Sequence, residues 1–167
     1  MKKFIVFPLF AVVLCSCRYN PKYCVGEWAN VHEHYQVMIK TVPTIEKTLT
    51  YIDKEGNSKV AEENNKVAVK IDLTLKRDKN DGEIYKLDAD DFKLSDRQLP
   101  PTGLIDPAAY EDYTWVGKEI KPGDEIPLSI AFLIYEENVE KYDHLEIDFK
   151  SSVGNSTQIY LKTRNSK

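Results

Sequence analysis

His32 and His34 stand two residues apart and are the side chains of this chain best spaced to hold a metal ion. On a β-strand, residues i and i+2 share a face, so two such imidazoles can chelate Zn²⁺ or Cu²⁺ together. A third ligand is required, and His144 or a carboxylate is the available supply. The competing reading makes both histidines polar residues on a solvated strand face, because the local period of two points them away from Val31 and Val37. A second cluster is acidic: Asp78 to Glu83, with Asp88, Asp90 and Asp91. Grouped carboxylates suit Ca²⁺, which takes six to eight oxygens. The calcium loop of helix-flanked sites needs glycine at position six and glutamate at position twelve. Counted from Asp78, Gly82 falls at position five and Ala89 at position twelve, so that motif fails. The acids then read as a solvated hairpin tip and acidic strand ends.

The third candidate is aromatic. Tyr110, Tyr113 and Trp115 lie in a stretch from Leu99 to Trp115 that also holds Leu104, Ile105 and three prolines. Loops of this length are uncommon unless they are functional. Tyrosine and tryptophan offer large contact area at low entropic cost, which makes them frequent binding anchors. The alternative is that they fold back and plug one end of the domain, with Trp115 in the core.

Catalysis has little support. No Gly-x-Ser-x-Gly elbow occurs, and no glycine-rich phosphate loop. The expectation is a non-catalytic protein without a cofactor.

These residues must be carried by strands. From Ala29 the period is two, with Val31, Glu33, Tyr35, Val37 and Ile39 on one side of a single expected strand. Thr48–Asp53 reads as an edge-like strand ended by a turn at Glu55-Gly56-Asn57. In 67–75, Val67, Val69, Ile71, Leu73 and Leu75 alternate with Ala68, Lys70, Asp72 and Thr74, a pattern that buries one face and solvates the other. Further short strands are expected around Phe92 and Leu94, at 126–135, at 145–149 and at 157–163. About seven strands separated by turn signals predict an all-β, antiparallel, immunoglobulin-like β-sandwich.

The amino terminus decides the compartment. Lys2 and Lys3 precede an apolar run from Phe4 to Leu14, too short to span a bilayer core and suited to a signal peptide. Leu14-Cys15-Ser16-Cys17 resembles the lipobox of bacterial lipoproteins. The resemblance implies that residues 1–16 are removed, that Cys17 receives diacylglycerol, and that the protein is lipid-anchored to a cell membrane or outer membrane, facing the periplasm or the exterior. Residues 17–27 then form a lipidated tether and 28–167 the sandwich. Removing residues 1–16 takes the formal charge from −4 to −6. An acidic chain lacks the basic footprint that nucleic acid requires, and it is weakly repelled from anionic lipid heads, so the domain is expected to stand off the membrane. Cys24 is left without an intrachain partner, since Cys15 leaves with the signal and Cys17 carries lipid.

Three further segments carry a second resemblance: Asn65–Lys76 as a long alternating strand, Asp90-Asp91-Phe92-Lys93-Leu94-Ser95-Asp96, and Lys121-Pro122-Gly123-Asp124 before a strand ending in Phe132. In order and spacing, 28–150 is similar to bacterial immunoglobulin-like lipoprotein domains of unknown function, related in fold to a secreted mycobacterial immunogenic antigen. That implies an extracytoplasmic sandwich without established catalysis. The insert at 99–115 and the second, edge-like strand depart from the pattern. The functional expectation is an envelope binding or accessory protein with a protein or glycan partner. The alternatives are a metal-handling lipoprotein using His32, His34 and His144, and an envelope inhibitor or immunity protein.

Overall fold

A computed structural model of the chain describes residues 23–32, 34–52, 57–61, 64–79, 86–96, 104–105, 109–110, 117, 119–149 and 156–164. Among the described residues thirteen strands run in chain order. They are β1 (Tyr23–Cys24), β2 (Ala29–His32), β3 (Tyr35–Ile39), β4 (Thr44–Glu46), β5 (Leu49–Ile52), β6 (Ser58–Ala61), β7 (Lys66–Arg77), β8 (Phe92–Asp96), β9 (Leu104–Ile105), β10 (Ala109–Tyr110), β11 (Glu125–Tyr135), β12 (Tyr142–Ile147) and β13 (Thr157–Tyr160). They form two main sheets, β1-β13-β12-β8-β9 and β10-β11-β7-β3-β2, with β5 and β6 as a separate hairpin. The expected β-sandwich is present, built from more strands than the seven or so the turn signals suggest, several of them only two to four residues long.

The two longest alternating runs form the centre of the second sheet. Eleven antiparallel pairs join β7 to β11, from Glu125↔Lys76 to Tyr135↔Lys66. Their inner faces contribute Val67, Val69, Ile71, Leu73 and Leu75, with Ile126, Leu128, Ile130, Phe132 and Ile134 opposite. The other sheet supplies Phe92, Leu94, Leu145, Ile147 and Ile159 to the same core. Phe149 joins the layers, edge-on to Tyr35 at 5.7 Å and to Phe92 at 6.0 Å, separations at which aromatic quadrupoles favour perpendicular rings.

The structure revises several expectations. The single strand expected from Ala29 is a hairpin: β2 pairs antiparallel with β3, Ala29 opposite Val37. The period of two continues across the tight turn near His34, so periodicity alone does not reveal the reversal. The outer face of β7 is also only partly solvated. Ala68 and Ala131 are buried there beside Leu49 of β5, in a small second apolar cluster. Two alanines leave room for the β5–β6 hairpin to lie across the sheet. The stretch at 99–115, expected to be irregular, lends a short edge strand to each sheet: β9 pairs β8, and β10 pairs β11 with Tyr110 opposite Ile130.

Of the expected tether at 17–27, residues 17–22 lie outside the described residues, and the remainder is not free of secondary structure. Tyr23 and Cys24 form β1 and pair in parallel with Ile159 and Tyr160 of β13. Cys24 is buried and in no disulfide among the described residues. Glu27 then clamps the far end of the chain. Arg164 donates to it from Nε and from a terminal nitrogen at 2.7 and 2.8 Å.

Candidate functional site

The side of the second sheet beside β7 is shared by two strands in series. β3 pairs with the carboxy-terminal half of β7, Tyr35 opposite Arg77 through Ile39 opposite Leu73. β4 pairs with the amino-terminal half, Thr44, Ile45 and Glu46 opposite Lys70, Val69 and Ala68. Between them the chain leaves the ladder over Lys40–Pro43, after Lys40 N–H donates to Asp72 C=O at 2.8 Å. Proline has no N–H to return to a ladder, so Pro43 suits this excursion. β2 flanks β3 only, and no described strand pairs with the far side of β4. β4 is therefore a sheet edge among the described residues.

Behind that edge the sandwich is open. Val42, Pro43, Ile45 and Val69 of one sheet and Val139, Tyr142 and Leu161 from the other line a cleft of about 190 Å³, together with Glu140, Asp143 and Lys162. Val42 and Ile45 are 52% and 56% exposed and are two of only four large hydrophobic residues so exposed among the described residues. Scattered exposed apolar residues are ordinary, whereas contiguous ones beside a cleft point to a contact surface. The sequence reading missed this site. Its signals, Val42-Pro43 and Ile45, sit in a short irregular stretch with no usable period.

A second, polar groove of about 330 Å³ lies at the His34 end of β3 and β7, lined by residues including Asn30, His34, Gln36, Lys76 and Lys79. Gln36 donates to Asn30 Oδ1 at 2.8 Å, and Lys76 lies over the Trp28 ring at 5.5 Å. Asp78 and the nearby Glu125, opposite Lys76, offset the lysine charges. The groove is mixed in sign and selects no ligand class.

The histidines separate. His34 is half-buried in the β2–β3 turn, and of His32 only the backbone is described. His144, which would have to complete their metal site, is 2% exposed in β12, paired with Ser95 and Tyr160 in the other sheet. Its ring lies 4.3 Å from that of Tyr160. Its Nδ1 is 2.7 Å from Asp143 Oδ1, an ion-pair contact without hydrogen-bond geometry, and its Nε2 has no hydrogen-bond partner. Among the described residues no three His, Cys, Asp or Glu side chains are grouped to hold a metal.

Within the acidic cluster, Asp78 and Asp90 are exposed as expected, Asp81 and Glu83 lie outside the described residues, and Asp91 departs from the solvated reading. Asp88 caps a short 3-10 turn at Ala89–Asp91, accepting from Asp90 N–H, while Asp91 accepts from Asp88 N–H. Asp91 is fully buried, so this acid has a structural use rather than a solvated one. Of the expected aromatic anchors, Tyr110 is placed by its backbone in β10, whereas Tyr113 and Trp115 lie outside the described residues, as does Cys17. No described helix is long and apolar enough to cross a membrane.

No model of a known protein family matches the chain, and no curated protein does. Among solved structures, an uncharacterised β-sandwich protein from Clostridium difficile 630 is similar in fold. It superposes at a TM-score of 0.51 with 16% identity, covering 86% of this chain and 97% of that one. At that identity the likeness concerns fold alone, and the chain carries a β-sandwich domain of unknown function.

Proposed function

We propose that this protein is a non-catalytic binding or accessory protein of the bacterial envelope, an immunoglobulin-like lipoprotein domain held by acyl chains on Cys17. The observation that carries the binding reading is the open apolar cleft between β4 and Tyr142. A sandwich with no partner gains by closing such a mouth, since burial of apolar surface is worth about 25 cal/mol per Å². Val42 and Ile45 instead stay in water beside it. The cleft's apolar walls offer few groups for a sugar's hydroxyls, which favours protein over glycan as the partner. The anchor rests on the lipobox at Leu14–Cys17 and supplies the compartment: two or more acyl chains suffice for stable attachment.

The two halves are tested separately. Globomycin should leave an unprocessed precursor, and normal processing of a Cys17→Ala variant would contradict the anchor. Affinity purification of the wild-type chain and of a Val42→Glu/Ile45→Glu variant tests the cleft. Partners retained by the wild type and lost from the variant support binding there. A partner set unchanged by the variant contradicts it.

A further inference from the structure

We infer that the partner enters as an extended polypeptide strand that adds to β4 and places alternate apolar side chains in the cleft. This rests on the binding reading above and specifies the occupant. The far edge of β4 carries main-chain groups that no described strand pairs, and an unpaired sheet edge is a template for another strand. Successive side chains of an added strand point to opposite faces of the sheet, so every second one falls on the inner side. The inner side here is set by Ile45, whose cross-strand neighbour Val69 is a core residue. A strand beside β4 would thus carry alternate side chains over Ile45 and toward Val139, Tyr142 and Leu161, the far wall of the cleft.

Size and chemistry agree with this occupant. A pocket for a whole small molecule holds roughly 300–1,000 Å³. About 190 Å³ is below that range and suits one or two side chains supplied by a chain whose backbone lies elsewhere. The lining is mostly apolar, from valine, isoleucine, leucine, proline and one tyrosine ring beside Glu140, Asp143 and Lys162, so the side chains that suit it are aliphatic or aromatic. A helix would satisfy its own main-chain groups and leave the edge of β4 unpaired, and a folded surface would have to present an edge strand of its own. The recognition element is therefore an extended segment that pairs with the three residues of β4 and runs on over the cleft, with apolar residues at every second position and without proline.

The test uses isotopically labelled full chain in detergent micelles and the probe peptide acetyl-Lys-Thr-Val-Thr-Val-Thr-Lys-amide. The expected result is saturable perturbation of the amides of Thr44–Glu46, Val69, Val139, Tyr142 and Leu161. Affinity should fall at least tenfold when alternate peptide amides are N-methylated, which removes strand pairing and keeps the side chains. A similar fall is expected on Ile45→Glu. No binding at millimolar peptide, perturbation elsewhere, or equal affinity for the N-methylated peptide would overturn the inference. Should the peptide fail while the Val42→Glu/Ile45→Glu variant still loses its native partner, the binding reading stands and the strand-addition inference alone falls.

Discussion

Ile45 and Val69 face each other across the β4–β7 ladder, yet Val69 is 5% exposed and Ile45 is 56% exposed. A cross-strand pair on an inner face normally shares one environment. Here the boundary between core and solvent runs through the pair. The core is complete up to β7 and stops one strand short at β4, and the cleft lies where the next strand's side chains would go.

The first prediction concerns stability at that boundary. Ile45→Glu changes a mostly exposed side chain, so unfolding free energy should shift by less than about 1 kcal/mol. Leu73→Ala, four residues along β7 from Val69 and fully buried, should cost about 2–5 kcal/mol through lost transfer energy and a residual cavity. Urea unfolding midpoints at constant slope check both. A loss above about 2 kcal/mol for Ile45→Glu would mean that Ile45 belongs to the core.

A second prediction concerns pH. The hydrogen bonds from Arg164 hold the Glu27 carboxyl below its ordinary value of 4.5, with a smaller contribution from Cys24 N–H, while desolvation opposes them. A depressed acid stabilises the fold above its unfolded pKa, and the benefit disappears as pH falls through the folded value. The clamp between the β1 region and the carboxy-terminal end should therefore loosen only below about pH 4.5. Val25 N–H donates to Lys162 C=O beside this clamp, so its hydrogen-exchange protection should drop on acidification. Glu27→Gln should remove that pH dependence. Protection that rises with acid, or an unaltered profile in the variant, would refute the clamp.

Gly123 gives a third. Its φ is +86°, and its N–H donates to Arg77 and Asp78 carbonyls at 3.2 Å each, closing the turn at the end of β7. A Cβ there would meet only Lys79 Cγ at 3.5 Å, an ordinary contact. The cost of Gly123→Ala is therefore the backbone conformation itself, about 1–2 kcal/mol. Thermal unfolding should show this loss without a change in the spectrum of the folded state.

The buried histidine supplies a fourth. Removing a buried polar group that makes no hydrogen bond forfeits no hydrogen-bond energy, whereas stripping a buried carboxylate of a working partner costs its desolvation penalty. His144→Phe keeps a ring against Tyr160 and removes two nitrogens without hydrogen-bond partners. Stability should stay within about 1 kcal/mol of the wild type. A loss of about 3–5 kcal/mol would show that the contact with Asp143 is a working buried ion pair.

The sequence disclosed the sandwich where alternation was long. Val67–Leu75 and Ile126–Ile134 announced the central pair because nine residues of strict period in each run outweigh any local exception. It did not disclose the β2–β3 reversal, since a hairpin of two alternating strands preserves the same parity through a tight turn. It did not disclose the burial of Ala68 either, because alanine fits a solvated face as readily as a thin packed one. The cleft was illegible for a related reason. Ile45 lies in a three-residue strand beside Pro43, and a strand that short has no period to read. Its exposure depends on which of the described strands pair beside it, and that is fixed by topology rather than by local pattern.

The most direct test of the account is photo-crosslinking in the intact envelope, with a benzophenone amino acid placed at Ile45 and, as a control, at Val60, an apolar residue of β6 that is 67% exposed. The account predicts a discrete covalent adduct from position 45 and none from position 60, with the crosslink mapping to an extended segment of the partner. No adduct from position 45, or the same adducts from both positions, would contradict it.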